Sequence, residues 1–231
     1  MTSRTASAHL SAKLDLVHGA FVAYARKLWS GPDVRDVYPV YLRVMHAVVR
    51  SAVPLMEAAL AEARARDETT PLTAELLAYY AHHMKEEAGH DGWLLEDLAA
   101  TGHDPAEALD QIPPPAVAAM VGAQYYWIRH FHPVALLGHI AAIEAYHPPS
   151  GFALRLAEAT GYPPAAFRSI SRHEVLDIHH RRDLFELIDR IPLKPHHEKI
   201  IAVSGLHTIE TGMDVLEFIH ATAARERKPA Q

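Results

Sequence analysis

Glu87 and His90, then Glu144, then His173, Asp177 and His180 stand where the buried stripe of a helix ordinarily carries leucine. On a helix, residues three, four and seven apart share a side, so His173, Asp177 and His180 project in one direction over two turns. Glu87 and His90 repeat the three-residue spacing, and Glu144 adds a carboxylate from another segment. Burying three carboxylates and three imidazoles together is costly unless a cation compensates them. Two divalent metals bring four positive charges and three carboxylates remove three, leaving a small surplus for a bridging hydroxide or oxygen species. Without metals the carboxylates would repel one another and their pKa values would rise. A set of imidazoles and carboxylates without sulfur suits iron or manganese better than thiolate-bound zinc. Glu-x-x-His is also the spacing that carboxylate-bridged di-iron bundles use.

Each part taken alone has a plainer explanation. Glu87 and His90 lie in the polar stretch KEEAGHD, Glu144 fits a buried ion pair, and the 173–182 region, ending in Arg181 and Arg182, fits an exposed polar helix. Their conjunction on stripes that otherwise carry leucine supports the metal reading.

The elements that must position these residues are helical throughout. Leu10, Leu14, Val17, Phe21, Tyr24 and Leu28 predict a helix from about Ser7 to Trp29, ended by Gly31-Pro32. A second helix is predicted from Pro39, restarting near Pro54 and reaching about Arg66. Thr70-Pro71 opens a long helix to about Ala100, closed by Gly102, which would carry both Glu87 and His90. A short helix near Glu107, a helix from about Ala116 to Phe131 and one from about Val134 to Tyr146 follow. Ser150 is expected to cap a short helix that Gly161 ends. Ser171 and Glu174 form a candidate capping box for the helix to Asp189. The last helix spans about Pro195 to Ala223, with a loose tail over about 224–231. The sum is one all-α domain, residues 1–231, of about eight helices.

Composition narrows the function. The chain has 231 residues, 49% of them hydrophobic, enough for a substantial core. A net charge of −6 disfavours nucleic acid, and the short basic patch at Arg181 and Arg182 does not change that. The absence of cysteine excludes disulfides, thiolate sites and cysteine nucleophiles, and fits a reducing cytoplasm. The N-terminal segment has no apolar core of a signal peptide, and no apolar run is expected to reach membrane-spanning length. With 18 histidines, some metal-like spacings arise by chance.

The ionisable pattern resembles the heme-oxygenase-like di-iron oxidases and oxygenases, whose superfamily also holds heme oxygenase, the thiaminase-like proteins and the pyrroloquinoline-quinone synthase. The resemblance covers roughly Tyr38 to Phe218. It rests most on His-x-x-x-Asp-x-x-His at His173, Asp177 and His180, with Glu144 about thirty residues upstream and Glu87 and His90 before that. Some members place the first glutamate seven residues before the histidine, where this chain has His83. Glu86 is then the fallback carboxylate, and His83 an extra ligand or a neighbour of the ligands.

What the resemblance implies is a single-domain heme-oxygenase-like helical bundle. It would bind two ferrous ions, use dioxygen as co-substrate and oxidise a small amine, amino acid or fatty acid by N-oxygenation or C–C or C–H oxidation. A homodimer and an external electron donor are expected with it, and neither nucleic acid nor membrane. Two alternatives stand beside this reading: a metal-free enzyme of the same fold, quinone-synthase-like or thiaminase-like, and a non-catalytic metal or ligand carrier. The thiaminase-like branch uses a cysteine nucleophile, which this chain lacks.

Further candidates are weaker. Tyr125, Tyr126, Trp127 and Phe131 could wall a substrate pocket, although such clusters are more often core. His207 and Glu210, with Asp214, could contact ligands or substrate from the last helix. His18 stands roughly where heme oxygenases hold their heme ligand, in surroundings that fit a structural histidine better. His46 could line a cavity, and Arg129, Arg168 or Arg172 could hold a substrate carboxylate.

Overall fold

The three- and four-residue apolar spacing builds α1 (Ala6–Trp29), which buries Leu10, Leu14 and Leu28 and is capped by the Thr5 hydroxyl accepting the Ala8 N–H. The computed structural model describes residues 5–66, 70–144, 146 and 148–227. Every regular element among the described residues is helical. Helix α2 (Val34–Val49) starts earlier than expected. The turn at Gly31-Pro32-Asp33 nucleates it, and Pro39 lies inside. The chain restarts at Ser51 into α3 (Ala52–Ala65), whose first turn accepts Pro54.

Helix α4 (Pro71–Glu87) is capped by Thr70 and ends where the sequence predicts continuation. Ala88 turns to an extended ψ of 119° and Gly89 to a left-handed φ of 86°, before α5 (His90–Ala100) begins. Glu87 and His90 therefore close one helix and open the next instead of sharing one. Short α6 (Ala106–Asp110) leads to α7 (Pro115–His130). A 3-10 turn at Pro133–Ala135 runs directly into α8 (Leu136–Glu144). Then come α9 (Phe152–Thr160), a second 3-10 turn at Pro164–Phe167, α10 (Arg168–Arg190) and α11 (Pro195–Glu226). The all-α bundle is as expected, in eleven α-helical segments among the described residues rather than about eight, chiefly through the breaks at Ser51 and Ala88-Gly89.

Helix α11 is the central strut, packing on α1, α8, α7 and α2. It meets α8 backbone to backbone. A Cβ on Gly138 would collide with the Ile201 carbonyl oxygen and stand 2.8 Å from the Gly205 nitrogen. Buried leucines and isoleucines from α1, α3, α4, α8 and α10 form the main core, including Leu14, Leu55, Leu76, Leu137 and Leu184. Two buried tyrosines tie distant segments together: Tyr38 Oη donates to Ala166 O at 2.7 Å and Tyr80 Oη to Pro133 O at 2.8 Å.

Two carboxylates set the helices that carry the site: Asp97, passed over in the sequence, and Glu174, expected there in another role. Asp97, 0% exposed, accepts the N–H groups of Arg168 (3.0 Å) and Ser169 (2.9 Å), satisfying the first turn of α10 from α5. Burial outweighs those two bonds and pushes its carboxyl up to about 6. The expected capping box at Ser171 and Glu174 is not formed, because α10 starts three residues earlier. Glu174 instead reaches α9 and accepts from Gly151 N and Ala153 N, at 2.8 Å each. Gly151, in the left-handed region at φ 73°, takes the cap position expected for Ser150.

Two further expectations are corrected. Helix α11 runs through Glu226, which accepts from Arg43 at 2.7 Å, and Arg227 pairs with Asp33 at 2.7 Å, so 224–227 are held. Residues 228–231 of the expected loose tail lie outside the described residues. The stretch Val34–Ala65, α2 and α3 together, is by length and composition apolar enough to cross a membrane, with 44% of its most apolar window buried inside the bundle.

Candidate metal centre

Four segments converge beside a large cavity, which His83, Glu87, Glu144, His173 and Asp177 line. Helix α4 delivers His83 and Glu87, α5 His90, the last residue of α8 Glu144, and α10 His173, Asp177 and His180. The donor atoms fall into two groups, each with all members within 4.8 Å of one another. One comprises His83, Glu87, Glu144 and His180, and the other Glu87, His90 and His173. Glu87 belongs to both. Asp177 is buried beside the same cavity, with Oδ1 3.9 Å from His180 Nδ1, but joins neither group.

His83 is the residue that sequence spacing undervalued. It is 2% exposed, with Nε2 2.8 Å from Glu144 Oε1 and Nδ1 3.2 Å from Glu86 Oε2. Its position one turn before Glu87, on the same stripe, was the available signal. Burial alone would lower its pKa. The Glu144 hydrogen bond and charge, with Glu87 and Glu86, outweigh burial and raise it to about 9.

Burial also acts on Asp177, and with the charges of Glu144 and Glu87 it pushes this carboxyl up to about 8. Burial would raise Glu87 too, but neighbouring His90, His83 and His173 hold it below its ordinary value. His173 Nδ1 donates to Ser169 O at 2.8 Å, which leaves Nε2 as its free donor atom.

Three buried atoms here have no hydrogen-bond partner among the described residues: His90 Nδ1, His180 Nδ1 and Glu144 Oε2. His90 Nδ1 is 3.1 Å from Glu87 Oε2 and His180 Nδ1 3.5 Å from Glu87 Oε1, close but without hydrogen-bond alignment. An unmet buried donor or acceptor costs about 1–3 kcal/mol. Lone pairs from imidazole and carboxylate, aimed inward and unpaired, are what a bound cation satisfies, so the residues fit a metal pair.

The cavity beside them has a volume of about 840 Å³ and runs between α1, α2, α3, α8, α10 and α11. Its walls are mostly apolar, with Trp29, Met45, Leu55, Ile140 and Val215 among them. His18 lines it and stacks on Tyr146 at 3.6 Å between ring centroids.

Other expected contributors lie elsewhere. Tyr126 is 63% exposed on α7, Phe131 is exposed, and Glu210 and Asp214 face outward on α11. These positions fall on the helix sides opposite the core. His207 contacts Ala119 O at 3.3 Å and Trp127 edge-on, outside the cavity. His46 is buried but does not line the cavity. Arg129 lies over Tyr125, Arg168 pairs with Glu96, and Arg172 stacks on Trp93, whereas the arginines that border the cavity are Arg26 and Arg155. Glu86 sits beside the cluster, contacting His82 and His83.

The helical bundle and its cavity superpose on solved proteins of the heme-oxygenase-like fold, which is the class this chain's fold defines. A domain of unknown function with that fold from Shewanella denitrificans superposes with a TM-score of 0.82, at 16% identity over 96% of this chain and 95% of the other. A TenA homolog from Pseudomonas syringae pv. tomato (TM-score 0.68, 14% identity, 95% of each chain) shares the fold. So does a CADD-like protein of unknown function from Nostoc punctiforme (0.68, 16%, 96% and 98%). The chain belongs to the family described as iron-containing redox enzymes, which matches residues 41–208. Comparison with curated proteins gave no match.

Proposed function

We propose that this chain is a non-heme di-iron enzyme that uses dioxygen to oxidise a small organic molecule bound in the apolar cavity. The observation that carries this reading is the pair of donor groups joined by Glu87, with three buried donor atoms left unpaired. Glu87, His90 and His173 would hold one ion. Glu144 and His180, with His83, would hold the other, and Glu87 would bridge them. Asp177 would complete either site once it loses its proton. The family's description as iron-containing redox enzymes supports iron over manganese. The two irons would supply the electron transfer and dioxygen chemistry.

The chain's own residues account for the rest. Ser169 O fixes the His173 ring, Glu86 orients His83, and the apolar walls keep water from the reacting groups. A small-molecule substrate, a cytoplasmic setting, a homodimer and an external electron donor belong to the same proposal.

Anaerobic loading with ferrous ion, followed by air, is expected to give oxygen uptake and a transient visible absorption. His173→Ala should lose iron and uptake together. Iron content unchanged in His173→Ala, or loaded protein that takes up no oxygen, sinks the assignment and leaves a carrier.

Protons give an independent readout. Asp177, raised to about 8, and His83, raised to about 9, are both protonated at neutral pH before metal binds. A folded pKa above the unfolded value stabilises the fold below the unfolded pKa, and that stability is lost as pH rises through the folded one. Metal-free protein should therefore melt at progressively lower temperature from pH 7 to 9, while loaded protein changes little. Loading at pH 7 should release about two protons per chain, one from each group, and fewer above pH 9. Calorimetry in buffers of different ionisation enthalpy measures this, and release of none contradicts the role given to both residues.

A further inference from the structure

A second buried polar group lines the cavity and takes no part in the metal cluster. His139, on α8, is 5% exposed and lines the cavity together with Thr208 of α11. Its Nδ1 lies 2.9 Å from Thr208 Oγ1. The Thr208 hydroxyl proton is already committed, since Oγ1 donates to Ser204 O at 2.9 Å. Gln124 Nε2 also points its N–H at Thr208 Oγ1, at 3.4 Å, and the Gln124 amide is oriented by Ser204 Oγ donating to its Oε1 at 2.8 Å. Thr208 Oγ1 is thus an acceptor toward His139, so Nδ1 carries the proton.

The consequence falls on the other nitrogen. Burial, reinforced by the charge of His207, lowers the ring's pKa to about 4, so the ring is neutral. A neutral ring protonated at Nδ1 has a bare lone pair at Nε2. That atom has no hydrogen bond among the described residues. It belongs to a residue that lines the cavity and keeps a small exposed area, so its lone pair is the ring's remaining site for a bound molecule.

We propose that His139 selects the substrate: its Nε2 accepts a hydrogen bond from an O–H or amide N–H group on an otherwise apolar molecule occupying the cavity. The Ser204–Gln124–Thr208 chain is the positioning device that holds the ring in the accepting tautomer. His139 and Glu144 are five residues apart on one helix, roughly 7.5 Å along its axis. The donor group held at His139 therefore decides which carbon of the substrate lies against the carboxylate–histidine wall. This inference rests on the cavity being the substrate chamber of the proposed oxidase.

The test uses two isomers, 1-octanol and 1-methoxyheptane, titrated into the protein and followed by tryptophan fluorescence, to which the cavity-lining Trp29 contributes, and by calorimetry. One made hydrogen bond predicts about five- to tenfold tighter binding of the alcohol. His139→Leu should abolish that preference, and His139→Gln, whose side-chain oxygen can still accept, should keep much of it. N-hexylacetamide against its N-methylated form distinguishes an N–H donor from an O–H donor. Nitrogen-15 spectra of the ring should show Nδ1 protonated and Nε2 bare.

Equal binding of the two isomers, binding of neither, a preference that persists in His139→Leu, or a protonated Nε2 overturns the proposal. The comparison of isomers on the unaltered protein holds even if a variant misfolds. Iron content of His139→Leu should match the unaltered protein, so a failure here is separable from a failure of the metal centre.

Discussion

Glu87→Ala is expected to empty the whole centre: after anaerobic ferrous loading, iron should fall from about two per chain to a small fraction of one. The residue contributes to both donor groups, whereas His90 and Glu144 each contribute to one. His90→Ala should therefore lose about one iron and keep the other. Residues that merely orient ligands change metal affinity by about 10–100-fold, so loss of a carboxylate shared between two ions should exceed the upper end of that range. Elemental analysis after gel filtration reads the stoichiometry. Folding should survive, since the substitution removes one of the charges that crowd Asp177. Iron retained at the level of the unaltered protein in Glu87→Ala would show that the two groups do not share a ligand.

The largest effect on stability is expected at Gly138. An added methyl there meets backbone on α11, not a side chain that can swing aside. Helices α8 and α11 would have to separate along the contact that sets Glu144, His139 and Thr208 around the cavity. Overpacking of this kind costs about 1–3 kcal/mol where neighbours can adjust, and a rigid backbone contact places Gly138→Ala at or above about 3 kcal/mol. For a chain of this length that lowers the melting temperature by about 6–12 °C. Gly122→Ala is the control, because nothing lies within 4 Å of its added Cβ and its helix is exposed there. That substitution should be neutral or stabilise by up to about 1 kcal/mol. Similar melting of the two variants would contradict the close crossing.

The helical class, the order of the elements and the stripes carrying Glu87, Glu144, His173 and His180 were legible because helical periodicity survives in a single sequence. Three kinds of information were not. The break after Glu87 hides in a region of good helix formers, where only Gly89 marks it, and a lone glycine is tolerated inside a helix. The tasks of Asp97 and Glu174 are tertiary, since each caps a helix other than its own, and local spacing made Glu174 look like a partner of Ser171. His83 and His139 gain their meaning from what faces them, Glu144 in one case and Thr208 in the other. The aromatic run at Tyr125–Trp127 shows the converse, a conspicuous pattern that the bundle leaves outside the cavity.

The left-handed residue between α4 and α5 makes the separation of two adjacent donors a matter of torsion instead of helical pitch. A straight helix would lock Glu87 and His90 at a fixed rise, while here the torsions of Ala88 and Gly89 set the angle between the two rods and with it the separation of the two side chains. The spacing of the two cations proposed for that corner would thereby depend on one backbone joint, and a change at Gly89 would alter it while leaving the proposed ligand side chains chemically intact.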